Sequence, residues 1–398
     1  MKKRLSNGLT VIFKKKNNNS VTLAILAKTG SNYEIKGKEG ISHFIEHLLF
    51  EGTQKRTSQQ ITNAIESLGG DINAFTSHEE TVYFISIPKK HFDVALEILS
   101  DMIQNPRFDE KIIEKERKVI FEEINLHTDD PKSYQWILFL KNLYEKHPIR
   151  NPIYGSPESM KSITKDDILK YYNKYYQPSN LIFSIVGNIK NPVNKVEKVF
   201  RKFKNNKLPE KIVIEELTNK SKTATERRKI LHSYLVLGYK TSKRTDNDFY
   251  VLEVIRAILG RGQSGKLFDE IRTKRGLAYA VGINHDASLG YGYFAVYVGM
   301  DKKNIKLVKD IIVKELKKLE NITDKDIKDA KTYLEGNFLL EIDDNRKEAV
   351  GLVDWEMIKD HNLIYRYVNN IKKVTKKDII RVAKKYLNDK YTLVTIEP

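Results

Sequence analysis

Two histidines and a glutamate stand close together in the apolar stretch at residues 41–50, which reads ISHFIEHLLF. On a helix, His43 and His47 are about one turn apart and share a face, with Glu46 beside them. Two neutral imidazoles on one face can bind Zn²⁺, and an adjacent carboxylate can take the proton from a metal-bound water molecule. Three polar groups on an apolar helix are costly to bury without a strong partner, so the pattern predicts a metal site.

A catalytic zinc ion needs a third protein ligand and an open fourth position. The sequence contains no cysteine, so this ligand must be His, Asp or Glu. A carboxylate-rich helical segment, EKERKVIFEEINLH, supplies the candidates Glu116, Glu122, Glu123 and His127. Glu116 and Glu123 are seven residues apart and share a helix face, but spacing alone does not choose among the four.

The composition bounds the class of protein. The chain has 398 residues, of which 40% are hydrophobic, and this suits two ordinary domains with substantial cores. The absence of cysteine excludes disulfide scaffolds, thiol catalysis and cysteine-ligated metals. The formal net charge is +18, but the basic residues are scattered along the chain. We interpret them as a solvated surface, and a basic nucleic-acid-binding protein with a structural zinc is the alternative.

The N-terminus does not match a signal peptide. It begins with positive charge, but the apolar run at residues 9–13 is shorter than the about 7–15 residues that a signal peptide needs. No other stretch approaches the roughly 18 apolar residues of a membrane helix. We therefore expect a cytoplasmic protein with no membrane partner.

The two halves of the chain resemble each other. Residues 163–176 (ITKDDILKYYNKYY) and 374–387 (VTKKDIIRVAKKYL) both place threonine at an expected N-cap and an acidic residue in the first helical turn. Short apolar strands follow at 181–186 and 391–396. The two segments begin 211 residues apart. Similarity at this spacing indicates a duplicated domain, because the repeats of solenoid proteins are only about 20–50 residues long.

These patterns predict an α+β fold of two homologous domains in tandem, each a mostly antiparallel sheet packed with helices. The predicted boundaries are a zinc-binding domain at 1–205, a polar linker at 206–226 and a homologous domain without zinc at 227–398. Apolar periodicity predicts helices over 58–68, 89–104, 109–127, 247–259 and 305–319, and strands over 22–27, 81–87, 234–239 and 294–298.

The segment HFIEHLLFEGT, the carboxylate-rich helix and the duplicated halves together resemble the inverzincin metallopeptidases. This family includes pitrilysin, insulin-degrading enzyme and the mitochondrial processing peptidase, and the resemblance covers the whole chain in a short, two-domain form. It implies one Zn²⁺ per chain, held by His43, His47 and Glu123, with Glu46 as the general base. Glu116 opens an E-R-x-V match, which implies that it supports a ligand histidine from outside the coordination sphere.

Two further segments match the family. Asn73, Ala74 and Phe75 resemble an edge strand to which a peptide substrate adds as an extra strand, which implies substrate-binding roles for all three. Arg272 and Tyr279 match an R-x6-Y segment of the second half. The resemblance implies that Tyr279 stabilises the oxyanion at the attacked carbonyl and that Arg272 holds substrate main chain or a carboxylate.

The resemblance implies a zinc-dependent endopeptidase that degrades short or unfolded peptides, with Glu46 activating a zinc-bound water. Two chains are expected to pair as a homodimer in which Arg272 and Tyr279 of one subunit cover the zinc of the other. A leader- or presequence-type processing peptidase carries the same residues and stays an alternative. A non-catalytic family subunit is a further alternative, against which the intact metal-binding pattern argues.

Overall fold

The computed structural model describes residues 1–205 and 217–398, and in it the chain forms two compact units. The first unit comprises Met1–Asn125, the described part of Asn151–Ile212, and Leu340–Ile364. The second comprises Leu126–Arg150, the described part of Val213–Leu339, and Tyr365–Pro398. Both units combine a sheet with helices, which confirms the predicted α+β class.

The first unit contains a six-stranded sheet. Its strands are β1 (Lys2–Arg4), β2 (Thr10–Lys14), β3 (Ser20–Ala27), β4 (Asp71–Thr76), β5 (Thr81–Pro88) and β6 (Leu181–Gly187). They lie in the order β1-β2-β6-β3-β5-β4, and every neighbouring pair is antiparallel except β2 with β6. Within the described residues, strand β4 therefore ends the sheet and pairs with β5 alone.

The second unit contains a five-stranded sheet of the same character. Its strands are β7 (Lys222–Arg227), β8 (Ser233–Lys240), β9 (Ala278–Ala287), β10 (Gly292–Met300) and β11 (Thr392–Glu397). They lie in the order β7-β11-β8-β10-β9, and only β11 with β7 is parallel. The edge strand β9 corresponds in position to β4.

Fifteen helices accompany the sheets in the described residues. The first eight are α1 (Ile41–Phe50), α2 (Ser58–Glu66), α3 (Phe92–Gln104), α4 (Glu110–Asp129), α5 (Pro131–Leu143), α6 (Pro157–Ser162), α7 (Lys165–Tyr175) and α8 (Pro192–Phe200). The others are α9 (Asp248–Gly260), α10 (Lys266–Phe268), α11 (Ile305–Lys317), α12 (Asp324–Asp343), α13 (Asn345–Ile358), α14 (Leu363–Lys373) and α15 (Lys376–Tyr386).

The core of the first unit lies between one face of its sheet and helices α1, α3, α4 and α7. Alternate residues of β3, namely Val21, Leu23 and Ile25, are fully buried and pack in one apolar cluster with residues of these helices, such as Phe44. This alternation is the period of two that a strand imposes on its side chains. Each Å² of apolar surface that is buried contributes about 25 cal/mol, so this cluster is the main term that stabilises the unit.

The opposite face of each sheet is covered by a helix from the other half of the sequence. In the first unit α13 covers β3 and β6, where the Ser184 hydroxyl donates to the Ala349 carbonyl at 2.7 Å. In the second unit α5 covers β8 and β11, and its Phe139 packs with Val236 and Val394.

The compact units therefore divide the chain differently from the boundaries expected from sequence. The expected boundaries place residues 126–150 in the first domain and 340–364 in the second. In the structure, residues 126–150 belong to the second unit and residues 340–364 to the first. Amphipathic helices do not encode which sheet they cover, so composition could not show this exchange. Residues 206–216 of the expected linker lie outside the described residues, and β7 occupies 222–226 of it.

Matching helix caps support the duplication. Thr164 and Thr375 both form capping boxes, with Asp167 and Asp378 bonding back to the threonine. In each case the threonine hydroxyl accepts from the backbone N–H of the aspartate, and the carboxylate accepts from the backbone N–H of the threonine. Such a box satisfies two backbone N–H groups that a helix start leaves unpaired.

Gly40, immediately before α1, offers a test of how this helix is held. It has φ +96°, and a Cβ there would lie 2.6 Å from the Tyr154 carbonyl oxygen. Gly37 has φ +84° with nothing within 4 Å of a Cβ. We expect Gly37→Ala to cost about 1–2 kcal/mol from backbone strain alone.

Gly40→Ala adds a collision with backbone, so we expect it to cost about 1–3 kcal/mol more than the Gly37 variant. Urea unfolding of both purified variants measures this difference. Equal losses in the two variants would show that close packing against Tyr154 does not hold the start of α1.

Candidate metal centre

Helix α1 carries the two histidines, and a glycine and a glutamate fix where it begins. Gly40 provides its left-handed N-cap. The Glu34 carboxylate accepts from the backbone N–H groups of Gly40 and Ser42, each at 2.8 Å. These bonds satisfy two unpaired N–H groups of the first turn, and burial raises the pKa of the Glu34 carboxyl to about 8. His43 and His47 then lie on one face, with ring centroids 4.6 Å apart.

Helix α4 carries the carboxylates, and Arg117 anchors it. The buried Arg117 donates to the carbonyls of Met160 and Ile163, the latter at 2.9 Å. Its guanidinium also lies over the Phe44 ring of α1, 5.3 Å from the centroid. Arg117 therefore fixes the position of α4 through both hydrogen bonds and packing.

The two helices bring His43, His47 and Glu123 together. His43 Nε2 and His47 Nε2 lie 3.7 and 3.6 Å from the Glu123 Oε2 atom. Zn²⁺ holds nitrogen and oxygen ligands at about 2.0–2.2 Å, so two ligands of a tetrahedral ion lie roughly 3.3–3.5 Å apart. The three donor atoms nearly match that spacing, and His₂Glu is a donor set that catalytic zinc uses. These residues fit a zinc ion.

Of the four candidates for the third ligand, only Glu123 belongs to this group in the described residues. Glu116 lies outside this group and contacts one of its histidines, with its Oε2 atom 3.4 Å from His47 Nδ1. A carboxylate there would accept from Nδ1–H and fix the tautomer and orientation of the imidazole, which would leave the Nε2 lone pair available to a metal ion. Glu122 is exposed on another face of the helix.

Glu46 lies on the same helix as the histidines, and the Thr76 hydroxyl donates to its Oε2 atom. Burial raises the pKa of the Glu46 carboxyl, whereas the bond from Thr76 and the neighbouring His47 oppose this rise. A carboxylate with a raised pKa is a stronger base toward a water molecule. Thr76 ends strand β4, so the hydrogen bond joins the edge strand directly to the site.

Asn73, Ala74 and Phe75 lie on β4 as the resemblance implies. The Asn73 side chain is exposed and its Oδ1 atom accepts from the Ala74 N–H at 2.8 Å. The residues pair on one side with Phe84, Tyr83 and Val82 of β5. The other side of β4 has no strand partner in the described residues, so its backbone groups are placed to receive an added strand.

Arg272 and Tyr279 lie in the second unit and contact each other. Arg272 is in a π-helical turn at Asp269–Thr273, and its Nη1 atom donates to the Tyr279 carbonyl at 3.0 Å. The Tyr279 ring contacts His232 and Tyr234 at centroid distances of 4.9 and 6.4 Å. Burial and a hydrogen bond with Tyr234 raise the pKa of the Tyr279 hydroxyl, which keeps it a donor at neutral pH.

A second group of metal-binding side chains lies at the end of α13, comprising Glu356, Asp360 and His361. His361 Nδ1 lies 3.0 Å from Glu356 and 3.2 Å from Asp360. The Lys2 ammonium also pairs with Glu356. Because lysine already balances this carboxylate, we interpret the group as an ion-pair cluster.

Three positioning residues were not identified from the sequence. Thr76 bonds Glu46, Arg117 anchors α4, and Glu34 caps α1. The partners of Thr76 and Arg117 are distant in the chain, whereas Glu34 is six and eight residues from the N–H groups that it caps, so no helix or strand period marks any of the three. The one available signal was Arg117, which follows Glu116 within the E-R-x-V match.

Glu116 gives a test of how the site is supported. Glu116→Gln removes the charge beside His47 Nδ1 while keeping the shape of the side chain. We expect zinc affinity to fall about 10–100-fold, the usual effect of losing such a partner. Competition with a chromogenic chelator measures it.

The matched control is Glu122→Gln, which removes an exposed carboxylate from the same helix and should leave zinc affinity unchanged. Equal affinity in the wild type and Glu116→Gln would show that Glu116 does not support His47.

Comparisons with known proteins show the family to which the chain is similar. Residues 10–156 match the family model "Insulinase (Peptidase family M16)", and residues 162–334 match "Peptidase M16 inactive domain". An uncharacterized zinc protease of Rickettsia felis is 32% identical over 99% of this chain and 97% of its own length. One of Bacillus subtilis is 29% identical over 95% of this chain and 93% of its own.

A crystal structure of a protease from Helicobacter pylori is also similar. It has a TM-score of 0.96 and 26% identity, covering 100% of this chain and 99% of that one. Within the described residues, none of the helices combines the length and apolar character needed to cross a bilayer. The matched halves, the similar zinc proteases and the HFIEH helix agree: the chain belongs to peptidase family M16.

Proposed function

We propose that this protein is a zinc-dependent endopeptidase that hydrolyses short or unfolded peptides. The observation that carries the proposal is the convergence of His43, His47 and Glu123 on one point, with the Glu46 carboxylate on the same helix. A purely structural zinc site needs four closed ligands and no adjacent base. Three ligands with a neighbouring carboxylate favour hydrolysis.

His43, His47 and Glu123 hold the metal in this mechanism. A bound zinc ion supplies a Lewis acid that polarises the scissile carbonyl and lowers the pKa of water. Glu46 accepts the proton of the attacking water and returns it to the leaving amine. Thr76 keeps the Glu46 carboxylate in one orientation through its hydrogen bond.

Strand β4 positions the peptide. The backbone N–H and C=O groups on its open edge bond an extended substrate, which adds as a further strand. Ala74 contributes such backbone groups once its N–H is released from Asn73 Oδ1. The exposed Asn73 side chain and the Phe75 ring contact the residues next to the cleaved bond. This arrangement selects for backbone conformation more than for one sequence.

Arg272 and Tyr279 act on the substrate in the proposal. The Tyr279 hydroxyl donates a hydrogen bond to the oxyanion that forms at the attacked carbonyl. Arg272 uses one N–H on the Tyr279 carbonyl, and a guanidinium has further donors for substrate main chain or a carboxylate. Two chains pair as a homodimer, and each supplies this Arg/Tyr pair to the zinc site of the other.

Zinc dependence tests the proposed chemistry. We expect the purified protein to hydrolyse a mixed quenched-fluorescent peptide library, to lose this activity after chelation and to regain it when zinc is restored. Glu46→Gln should bind zinc normally but hydrolyse at least about 100-fold more slowly, because it lacks the base. Metal content is measured alongside the fluorescence.

Glu122→Gln is the control, since it removes an exposed carboxylate from another face of α4. It should retain wild-type activity. Hydrolysis by Glu46→Gln at the wild-type rate would contradict the role of Glu46, and activity that persists without metal would contradict zinc catalysis.

Mixing inactive variants tests action across the dimer. Glu46→Gln and Tyr279→Phe chains each lack one group when alone. If Tyr279 acts on the partner's zinc site, a mixed dimer contains one complete site, and random exchange restores about one quarter of wild-type activity. If Tyr279 acts within its own chain, the mixture stays as inactive as its components. Peptide hydrolysis after subunit exchange distinguishes these outcomes.

A further inference from the structure

Tyr279 is the extra residue of a β-bulge in the edge strand β9. The pairing between β9 and β10 shifts by one residue between Gly299 and Met300, and Tyr279 is the residue that this shift skips. The corresponding edge strand β4 pairs with β5 without a shift. The Arg272 Nη1 atom donates to the carbonyl of the bulged residue, which holds it in place. A bulge takes its extra residue out of the ladder and re-aims its side chain, and bulges are common beside active sites.

The ring of Tyr279 lies over a glycine of the next strand. A Cβ on Gly299 would be 2.6 Å from the Tyr279 Cζ and Oη atoms, so a larger residue there would displace the ring. Gly299 pairs in turn with Tyr234 of β8. The ring therefore extends from β9 across β10, toward the tyrosine on the third strand.

Two aromatic side chains contact the Tyr279 ring. The Tyr234 ring meets it edge-on, with centroids 6.4 Å apart and an interplanar angle of 84°, and the His232 ring packs on it at 4.9 Å. Burial and the hydrogen bond between the two tyrosine hydroxyls raise the pKa of Tyr279. Tyr279 nevertheless remains 37% exposed, so a substrate can still reach it.

We propose that Tyr234 is a positioning residue that holds the Tyr279 hydroxyl in its catalytic orientation. A phenol hydroxyl has one hydrogen to donate and lone pairs that accept. In the free protein the Tyr279 hydroxyl is the donor, because a bond given by the neutral phenol is the kind that raises its pKa. When Tyr279 instead donates to the oxyanion, the Tyr234 hydroxyl turns its hydrogen to the Tyr279 oxygen. The pair then stays bonded, and no proton is transferred within it.

A bond donated to the Tyr279 oxygen has two consequences for catalysis. It fixes the direction of the remaining O–H, and it polarises that O–H so that it becomes a stronger donor. Tyr234 acts through Tyr279 in this mechanism and does not touch the reacting atoms. The catalytic step rests on the proposed peptidase function, whereas the hydroxyl pair itself does not.

The hydroxyl pair can be tested without peptide turnover. We place 3-fluorotyrosine at position 279 of the full-length protein and follow its ionisation by ¹⁹F NMR. Tyr234→Phe keeps the neighbouring ring but removes its hydroxyl, so it should lower the pKa of this phenol by at least about 0.5. Tyr239→Phe is the matched control, because Tyr239 lies on the same strand but is buried on the opposite face. It should leave this pKa unchanged.

Kinetics on a quenched-fluorescent peptide then test the positioning role. Tyr234→Phe should lower kcat about 3–10-fold and change KM less than about twofold, because the lost bond acts only when the oxyanion forms. Tyr279→Phe alone should lower kcat about 100-fold. In a Tyr279→Phe background, adding Tyr234→Phe should cost nothing further, since the group through which it acts is already gone. Tyr239→Phe should keep wild-type kinetics, and thermal melting confirms that each variant folds.

The two measurements separate the ways in which the inference could be wrong. An unchanged pKa in Tyr234→Phe would show that the hydroxyls are not bonded and overturn the proposal. An equal loss of kcat with and without the Tyr279 hydroxyl would also overturn it, because Tyr234 would then act as a structural residue. A shifted pKa in a protein that hydrolyses no peptide would leave the hydroxyl pair intact and overturn the peptidase function instead.

Discussion

Helix α4 must hold one position beside α1 for a metal to bind, and the buried Arg117 supplies that constraint. Its bonds to two main-chain carbonyls and its packing over Phe44 fix the position of α4 along its axis and its rotation about that axis. With α4 held in this way, Glu116 and Glu123 face the histidines. Contacts of the two carboxylates with solvent would not by themselves fix that orientation. A buried cation is retained only where acceptors surround it. Rotation of α4 would leave the two carbonyls unpaired and would leave Arg117 with only Glu114 of its own helix as a partner.

The second unit also contains a buried charge, and that charge has protein partners. Its helix α9 contains the buried Glu253, which bonds Arg256 at 2.8 Å and His285 at 2.7 Å. Burial opposes the charge on Glu253, but these two partners outweigh it and lower the pKa of the carboxyl. The charge is thus balanced by protein groups alone. In the described part of this unit, no three His, Asp or Glu donors come within reach of one ion.

Local patterns in the sequence predicted the elements well. The helices expected at 58–68, 109–127 and 305–319 are present as α2, α4 and α11, with ends shifted by at most two residues. These patterns work because apolar side chains repeat with the period of the element they build. The helix at 89–104 is α3 preceded by a 3₁₀ turn at Lys89–His91.

Long-range relations were harder to predict. Spacing placed Glu116 and Glu123 on one face but could not choose the ligand, because the choice depends on how α4 packs against α1. The hydroxyl of Thr76 reaches Glu46 from a separate strand, and its partner is 30 residues away. The exchange of α5 and α13 between the sheets depends likewise on tertiary packing. The family resemblance named Glu123, whereas the contacts of Arg117 give the physical reason.

The open edge of β4 also constrains what this site can accept. A strand adds to a sheet edge only if its own N–H and C=O groups are unpaired along several residues. In a folded protein nearly all of these groups are already bonded, and releasing them costs the stability of the structure they hold. An extended or unfolded peptide has no such cost. The Thr76–Glu46 bond ties the last residue of this edge to the Glu46 carboxylate. In the proposed mechanism, backbone pairing and proton transfer therefore take place at one point, and a substrate is selected first by its conformation.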